Sequence, residues 1–291
     1  MKQEDKMIKA ISKDGFIRLR VVSLRHAVER MRNMHITTPV VTAALGRTMA
    51  AASMLGANQK EENSSVTLRI NGGGPIGSVI AVSDSGGNVR AYAQNPQVVI
   101  DKRPDGKLNV GGAVGAEGLL TVTRDLGFGD PYVGSTALVS GEIGEDLAAY
   151  LVESEQIGAA VGLGVLVDID QSVIAAGGYI VELLPGADDA MLGKLEQNVI
   201  QMGAVTDFLR ECDAEEMVET LLDGFQPEIL ETSSVEYRCY CSKDRVEQAL
   251  RSIGAEALTE MAEDTEDTLV NCQFCDIEHR FTPSEIVALM K

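Results

Sequence analysis

No window of this 291-residue chain reaches the roughly 18 uninterrupted apolar residues of a membrane span. Its N-terminus, MKQEDKMIKAISKDG, lacks the apolar stretch of a secretory signal. The chain is therefore expected to be soluble and cytoplasmic. Histidine is nearly as scarce. Of the three, His26 and His35 fall in an N-terminal helical stretch where packing or surface roles are expected, and no Ser/His/Asp set can be recognised around them. Positive charge is short as well, with 25 Lys and Arg against 44 Asp and Glu for a formal net charge of −19. Nucleic-acid affinity draws on clustered Lys and Arg, so this deficit argues against such a partner. Cysteine is limited to five residues, mostly in metal spacing, which fits a reducing compartment better than a secreted disulfide framework.

What charge there is lies unevenly. Residues 1–60 hold eleven Lys/Arg against four Asp/Glu, a net of +7, whereas residues 182–236 hold fourteen Asp/Glu against two Lys/Arg, a net of −12. Such an acidic stretch is ordinarily a solvated helical face; the alternative is that it lies against the basic N-terminal segment and can be released.

The length predicts more than one domain. A strand-like run over 8–24 leads into a helical HAVERMRNM and then PVVTAALGRTMAAASMLGA, apolar nearly all round and expected to be buried. Between 64 and 141, β-rich runs such as SSVTLRI, GSVIAVSD, NVRAYAQ and STALVSGEI alternate with Gly/Asn/Asp clusters, the pattern of antiparallel hairpins. A helix GEDLAAYLVESEQI and the strands AAVGLGVLVDID and AAGGYIVELLPG complete an α+β domain over 1–184. Past Pro185-Gly186 the strand signal stops. Amphipathic helices are predicted over 188–202, 204–211 and 214–224, with Met191, Leu195, Val199 and Met202 at helical spacing. They form an acidic linker, 185–232, too small for a core of its own and obliged to dock on something. The remaining 233–291 reads as a small α+β module: a strand VEYR, a helix from Ser242, a hairpin TLVNCQFCDIEHRF and a helix started by Thr282-Pro283-Ser284-Glu285. Few large apolar residues lie in it, so a metal is the expected staple.

Cys239, Cys241, Cys272 and Cys275 form a Cys-x-Cys, a gap of thirty residues and a Cys-x-x-Cys. Two close pairs brought together supply the four soft thiolates that tetrahedral Zn²⁺ prefers. Each pair is also close enough in sequence to close as a disulfide, so the same residues offer a metal site with a redox option. His279 could replace a thiolate but is not needed, and a surface or outer-sphere place is expected for it. Asp276 stands where such knuckles often carry a glycine, and Asp tolerates positive φ better than most residues. Cys212, in the acidic stretch, is expected to be an ordinary, partly buried thiol.

Two patterns are decoys. Gly72-Gly73-Gly74-Pro75-Ile76-Gly77 matches G-x-G-x-x-G, but a strand follows it instead of a phosphate-receiving helix, so a hairpin turn is expected. Cys272-Gln273-Phe274-Cys275 sits in a hairpin rather than at the helix start of a thioredoxin-type motif.

With Cys239-Tyr-Cys241-Ser-Lys-Asp-Arg, Cys272-Gln-Phe-Cys275 and the upstream AAGGYIVELLPGA, the chain resembles the bacterial redox-regulated 33 kDa heat-shock chaperonin family over its whole length. Asp276 and the additional Cys212 are departures that leave the four ligands untouched. The resemblance implies an ATP-independent holdase rather than an enzyme. Reduced and loaded with one zinc it would be inactive; oxidation would form Cys239–Cys241 and Cys272–Cys275 disulfides, release zinc, unfold the C-terminal module and destabilise the linker. It further implies unfolded client proteins as partners, a homodimer particularly when active, and hand-over to ATP-driven chaperones under oxidative stress. Two rivals remain. A zinc-ribbon nucleic-acid binder is weakened by twelve acids to six bases in the module. A thiol-disulfide oxidoreductase would be told apart by catalytic turnover.

Overall fold

The computed structural model describes residues 4–264 and 266–290, so the first three residues of the charged N-terminal stretch lie outside it. Two compact units are present, Met1–Arg238 and Cys239–Lys291.

In the larger unit, strands β1 (Lys6–Ile11) and β2 (Ile17–Ser23) form a hairpin. Helices α1 (Arg25–His35) and α2 (Pro39–Gly56) follow, then β3 (Ser65–Asn71), β4 (Val79–Asp84), β5 (Val89–Ala93), a short α3 (Val110–Val114), β6 (Leu119–Asp125) and β7 (Tyr132–Ala137). Next come α4 (Gly144–Glu153), β8 (Ala159–Val167), β9 (Val173–Leu183), the helices α5 (Asp189–Met202), α6 (Val205–Glu211) and α7 (Ala214–Leu221), and β10 (Glu228–Ser234). The strands make two antiparallel five-stranded sheets, one ordered β10-β1-β2-β9-β8 and the other β5-β4-β3-β6-β7.

Helix α2 is the shared core of both sheets. Every residue in it except Pro39 and Arg47 is buried, and it packs on β4 and β5 on one side and on β8 and β9 on the other. Its small residues permit that double approach. A Cβ on Gly46 would stand 2.7 Å from Val165 Cγ2, and one on Gly56 2.4 Å from Ser83 Oγ. Pro39 at the first turn costs no hydrogen bond, because that N–H has no helical partner anyway.

The first sheet is apolar on both faces. Val22, Ala176 and Ile180 turn towards α2, while Ile8, Ala10, Ile17, Leu19, Val21, Tyr179 and Val181 turn the opposite way. That second face is covered by Leu195, Met202, Val205, Leu209, Met217, Val218 and Leu221 of α5–α7. The helices expected from the periodicity therefore form, and they dock on the sheet. Glycines shape the seat: a Cβ on Gly164 would lie 2.8 Å from Thr206 Cγ2 in α6. Part of the acidic stretch does meet the basic strand, with Lys6 paired to Glu215 and Lys9 to Glu231 at 2.8 Å.

Three local expectations are corrected. Strand order does not end at 185: β10 pairs with β1, and its sequence EILETSS gave no signal because six of its seven residues are exposed and only the backbone pairing defines it. The run VEYR is not a ladder strand, and makes a single parallel bridge between Tyr237 and Val89. The run STALVSGEI leaves its strand at Ala137. The buried Asp146 carboxylate gathers the N–H groups of Val139, Ser140, Gly141 and Ile143 at 2.7–3.2 Å, which draws the chain out of the sheet.

Between α2 and the first sheet lies a buried ion pair. The Arg20 and Glu182 side chains are each 2% exposed and bonded to one another. Arg18 Nε adds a 2.6 Å bond to Glu182, and Arg20 Nη1 donates to the Met54 carbonyl at 2.9 Å. The guanidinium thus meets a carbonyl of the last turn of α2, where the helix dipole favours positive charge.

The smaller unit contains α8 (Lys243–Ser252), α9 (Ala255–Glu263), a two-stranded hairpin of β11 (Thr268–Asn271) and β12 (Glu278–Phe281), and α10 (Pro283–Leu289). The expected caps are present: Ser242 accepts from Arg245 N–H, and Thr282 and Glu285 form a reciprocal capping box. Its buried apolar core is Leu250, Leu258, Phe281, Ile286 and Leu289.

Glu182→Ala should destabilise the larger unit by about 3–5 kcal/mol, because it strands a buried guanidinium. Adding Arg20→Met should restore most of the loss. Urea midpoints of the three chains check this, and an unchanged midpoint in the single variant would refute the assignment.

Candidate metal centre

Four chain positions separated by the whole of α8, α9 and β11 converge at one end of the smaller unit. Cys239 and Cys241 lie just before α8, in the stretch that ends at the Ser242 cap. Cys272 follows β11, and Cys275 sits in the turn to β12. That turn is tightly bonded: Cys272 N donates to Ile277 O at 3.0 Å, while Cys275 N and Asp276 N both donate to Cys272 O, at 3.3 and 2.8 Å. Asp276 takes φ of 55°, the left-handed conformation that glycine would otherwise supply, so this departure is absorbed locally.

All four sulfurs lie within 4.8 Å of one another. The Cys239–Cys272 and Cys241–Cys275 separations are 3.7 and 3.3 Å, far beyond a disulfide bond of about 2.05 Å. A tetrahedral ion with metal–sulfur bonds of about 2.3 Å requires sulfurs about 3.8 Å apart. The four cysteines therefore fit a metal of that geometry, and every sulfur would be used, leaving no open position for a substrate or an activated water.

Electrostatics favour the same use. Burial pushes the Cys241 and Cys275 thiols up, away from ionisation. At Cys272 burial pushes the same way but is outweighed by the Phe274 backbone and by the neighbouring Cys275 and Cys239, so its thiol lies below the ordinary value. Cys272 is thus readier to ionise than Cys241 and Cys275, which need a cation beside them to do so.

The remaining residues singled out in the sequence stand apart from this cluster. His279, paired with Val270 across the hairpin, is not among the four metal-competent residues, and its Nε2 is buried without a hydrogen-bond partner among the described residues. Cys212 caps α6, where burial and the carboxylates of Glu216, Glu211 and Asp213 push its thiol up, the environment of an unreactive thiol. His26 meets the buried Asp5 carboxylate, which also receives the His26 and Ala27 N–H groups at the start of α1. Gly72–Gly77 forms the β3–β4 connection, and a Cβ on Gly72 would fall 2.0 Å from Gly115 O. Close backbone approach accounts for Gly72 and Gly74, and positive φ for Gly73 and Gly77.

One residue escaped the sequence reading. Lys243, two positions after Cys241, places Nζ 5.0 Å from the Phe281 ring centroid and 2.6 Å from Glu285 Oε1. Lys243, with the backbone and hydroxyl of Thr282, holds the Glu285 carboxyl down at about 2. This lysine ties the Cys-x-Cys segment to the hairpin and to α10, and no spacing rule links position 243 to 281 or 285.

No described helix is long and apolar enough to cross a membrane. A family model described as Hsp33 protein matches residues 5–282. The chain is 44% identical to the 33 kDa chaperonin of Clostridioides difficile (strain 630), covering 99% of both chains. It is 41% identical to the 33 kDa chaperonin of Bacillus subtilis (strain 168), covering 98% of both. Its fold superposes on the crystal structure of the 33 kDa chaperonin, a heat shock protein 33 homologue, from Thermotoga maritima with a TM-score of 0.90 at 32% identity, over 99% of this chain and 98% of that one. Chaperonin is not the name of an enzyme class, and an acidic α+β protein with a closed set of four cysteines is in keeping with it. On this sequence and structural likeness, the chain belongs to the Hsp33 family of chaperones.

Proposed function

We propose that this protein is a redox-regulated, ATP-independent holdase of the cytoplasm, in which zinc bound by Cys239, Cys241, Cys272 and Cys275 keeps the chain inactive and oxidation activates it. The observation that carries the reading is the pairing of a four-sulfur cluster with a unit whose buried apolar core is five side chains. Such a core is marginal, whereas metal binding to modules of this kind contributes about 10–16 kcal/mol, which is folding energy. Bound zinc would supply charge that holds the sulfurs as thiolates.

The redox step balances with a peroxide as the two-electron oxidant of each cysteine pair. A thiolate attacks a peroxide oxygen, forming a sulfenic acid and releasing the leaving oxygen as water after protonation. The second thiol of the pair then displaces water from that sulfenic acid and closes the disulfide. Each pair gives up two electrons to one peroxide, so two peroxides convert four thiols to the Cys239–Cys241 and Cys272–Cys275 disulfides. The within-pair assignment rests on the resemblance to the family. A disulfide sulfur is no longer an anionic ligand, so the unit loses its metal-linked stability.

Three functional parts follow in this reading: the core 1–184, the acidic linker 185–232 and the redox module 233–291. Melting of the module loosens the linker, and release of α5–α7 bares the apolar face of Ile8, Ile17, Leu19, Val21, Tyr179 and Val181. An apolar sheet face flanked by acidic helices suits unfolded clients, because it binds apolar segments while charge keeps the complex dissolved. Self-association as a homodimer and transfer of clients to ATP-driven chaperones belong to the same proposal.

In a light-scattering assay with a heat-denaturing client and no ATP, protection should appear only after peroxide, track zinc release and reverse with reductant. Equal protection before and after oxidation would refute the switch. Chelation at neutral pH should abolish the helical signal of α8–α10 and expose four thiols, while residues 1–184 keep a cooperative urea transition. A chelated chain with unchanged circular dichroism would remove the metal from the folding argument. Gly164→Val should undock α6 at a cost of roughly 1–3 kcal/mol. The reduced chain should then be cut faster by protease within 188–231 and show basal protection, and an unaltered cleavage rate would disprove the proposed seat.

A further inference from the structure

The three helices that cover the second face of the first sheet are not seated alike. Helix α6 packs on β8 and β9 and α7 on β1 and β2, whereas α5 packs on α7. The buried positions of α5 are Leu195, Asn198 and Met202, so the centre of its stripe is polar. Asn198 is 1% exposed. Its Nδ2 donates to the Leu221 and Asp223 carbonyls, each at 3.0 Å, where α7 ends and its last carbonyls have no partner within the helix. One turn earlier on the same side of α5, Lys194 meets the Asp223 carboxylate at 3.1 Å. The Asn198 Oδ1 is buried without a hydrogen-bond partner among the described residues. Both donated bonds fix the amide, so its oxygen cannot take the place of its nitrogen.

We propose that α5 is a separately releasable outer cover of the linker, with Asn198 as the positioning residue that latches it to the end of α7. This deepens the regulation of the function proposed above and rests on the docked linker being releasable.

Two independent features make this cover weaker than the layer beneath it. The first is the amide itself. A lone asparagine in an apolar seam fixes register at a cost in stability, because every slipped arrangement leaves its donor unpaired as well. Here the two donated bonds select one placement of α5 over the turn that ends α7, and the stranded Oδ1 carries a desolvation penalty that an apolar residue would not. The second is Gly193, in the interior of α5. Glycine is the poorest helix former after proline, and a Cβ at this position would meet nothing within 4 Å, so no close approach requires it. Helices α6 and α7 contain no glycine.

Exposure then comes in two stages. Opening of α5 bares Leu195, Met202 and the flank of α7 beneath them, while α6 and α7 keep the sheet covered. Only the departure of α6 and α7 bares Ile8, Leu19 and Tyr179. The first stage breaks the two Asn198 bonds, a short apolar stripe and the Lys194–Asp223 pair, and that pair is exposed and a minor term. Local openings of this kind lie well below the free energy of global unfolding. The α5 cover is therefore the first part of the linker to respond when its support loosens.

Hydrogen exchange of the reduced, metal-loaded full chain, expressed as protection factors, reads each stage without a client. In the wild-type chain the amides of 194–200 should be at least about tenfold less protected than those of 216–221. Equal protection of the two would overturn the separate cover. Gly193→Ala should raise α5 protection about fivefold and leave α6 and α7 unchanged. Asn198→Asp keeps the shape but sets a carboxylate against two carbonyl oxygens, beside Asp223 from the turn and Lys194 from α5, which are already paired with each other. Burial and the facing oxygens raise the pKa of the introduced acid, so the seat is held at low pH, where the protonated acid donates again, and lost as pH rises. Relative to wild type at the same pH, α5 protection should fall at least about tenfold near pH 7.5 and recover near pH 5.5. Met202→Ala, which loosens α5 through a cavity, should show the same loss at both pH values. A fall in Asn198→Asp that ignored pH, or that spread equally to α7, would overturn the latch. Circular dichroism and thiol counts confirm that each variant is folded. If exchange follows the expected pattern but the oxidised wild-type chain protects no client, the cover stands and the holdase reading falls. If the wild-type chain protects clients only after oxidation but α5, α6 and α7 open as one body, the holdase reading stands and the separate cover falls.

Discussion

The rest of the structure depends on one constraint: the sheet β10-β1-β2-β9-β8 is apolar on both faces, so it must be covered twice. Helix α2 covers one face irreversibly, because it is simultaneously the core of the second sheet and buries nearly its whole surface. The other face is covered by three short amphipathic helices that contribute one apolar stripe each and remain acidic outside. Burial at about 25 cal/mol per Å² holds both layers, but only the second can leave without dismantling a sheet. Short helices are not stable alone, so their order depends on the sheet beneath them. A covering of this kind is the natural place for a controlled exposure of apolar surface.

The smaller unit has the opposite problem. Its core of five buried side chains is slight for a chain of that size, and the four-sulfur cluster is positioned where a metal would add the missing stability. Its local devices agree with one another. The Ser242 and Thr282 caps fix the starts of two helices, the left-handed Asp276 closes the knuckle, and Lys243 spans three segments. None of these approaches the free energy of a thiolate–metal site. With a metal bound there, chemistry at sulfur would be the strongest lever on this unit, and the ion pairs on its surface are minor terms.

Much of this was legible in the sequence where one residue type in one pattern has few physical meanings. The Cys-x-Cys and Cys-x-x-Cys spacing pointed to the four residues that the structure gathers. The apolar run of α2 signalled burial, and the 3.6-residue recurrence over 188–224 signalled helices that must dock. The same reading missed β10, whose exposed residues carry no alternation, and the end of β7, which is set by four N–H groups converging on Asp146. It also missed Lys243, because a contact between residues 243, 281 and 285 leaves no periodic trace. Each miss is a case in which backbone pairing or a long-range polar contact decided the local structure.

The sequence by itself determined the helices and the inner strands, the metal-competent residues and the division between a basic beginning and an acidic later stretch, because periodicity, cap chemistry and ligand spacing are local. Only the tertiary structure decided which surface the amphipathic helices cover, that Arg20 and Glu182 neutralise each other inside the core, and that β7 is left as an uncharged open edge. Those outcomes depend on which strand neighbours which. Strand order is a property of the closed fold, set by how two sheets share one helix, and no stretch of the chain encodes it alone.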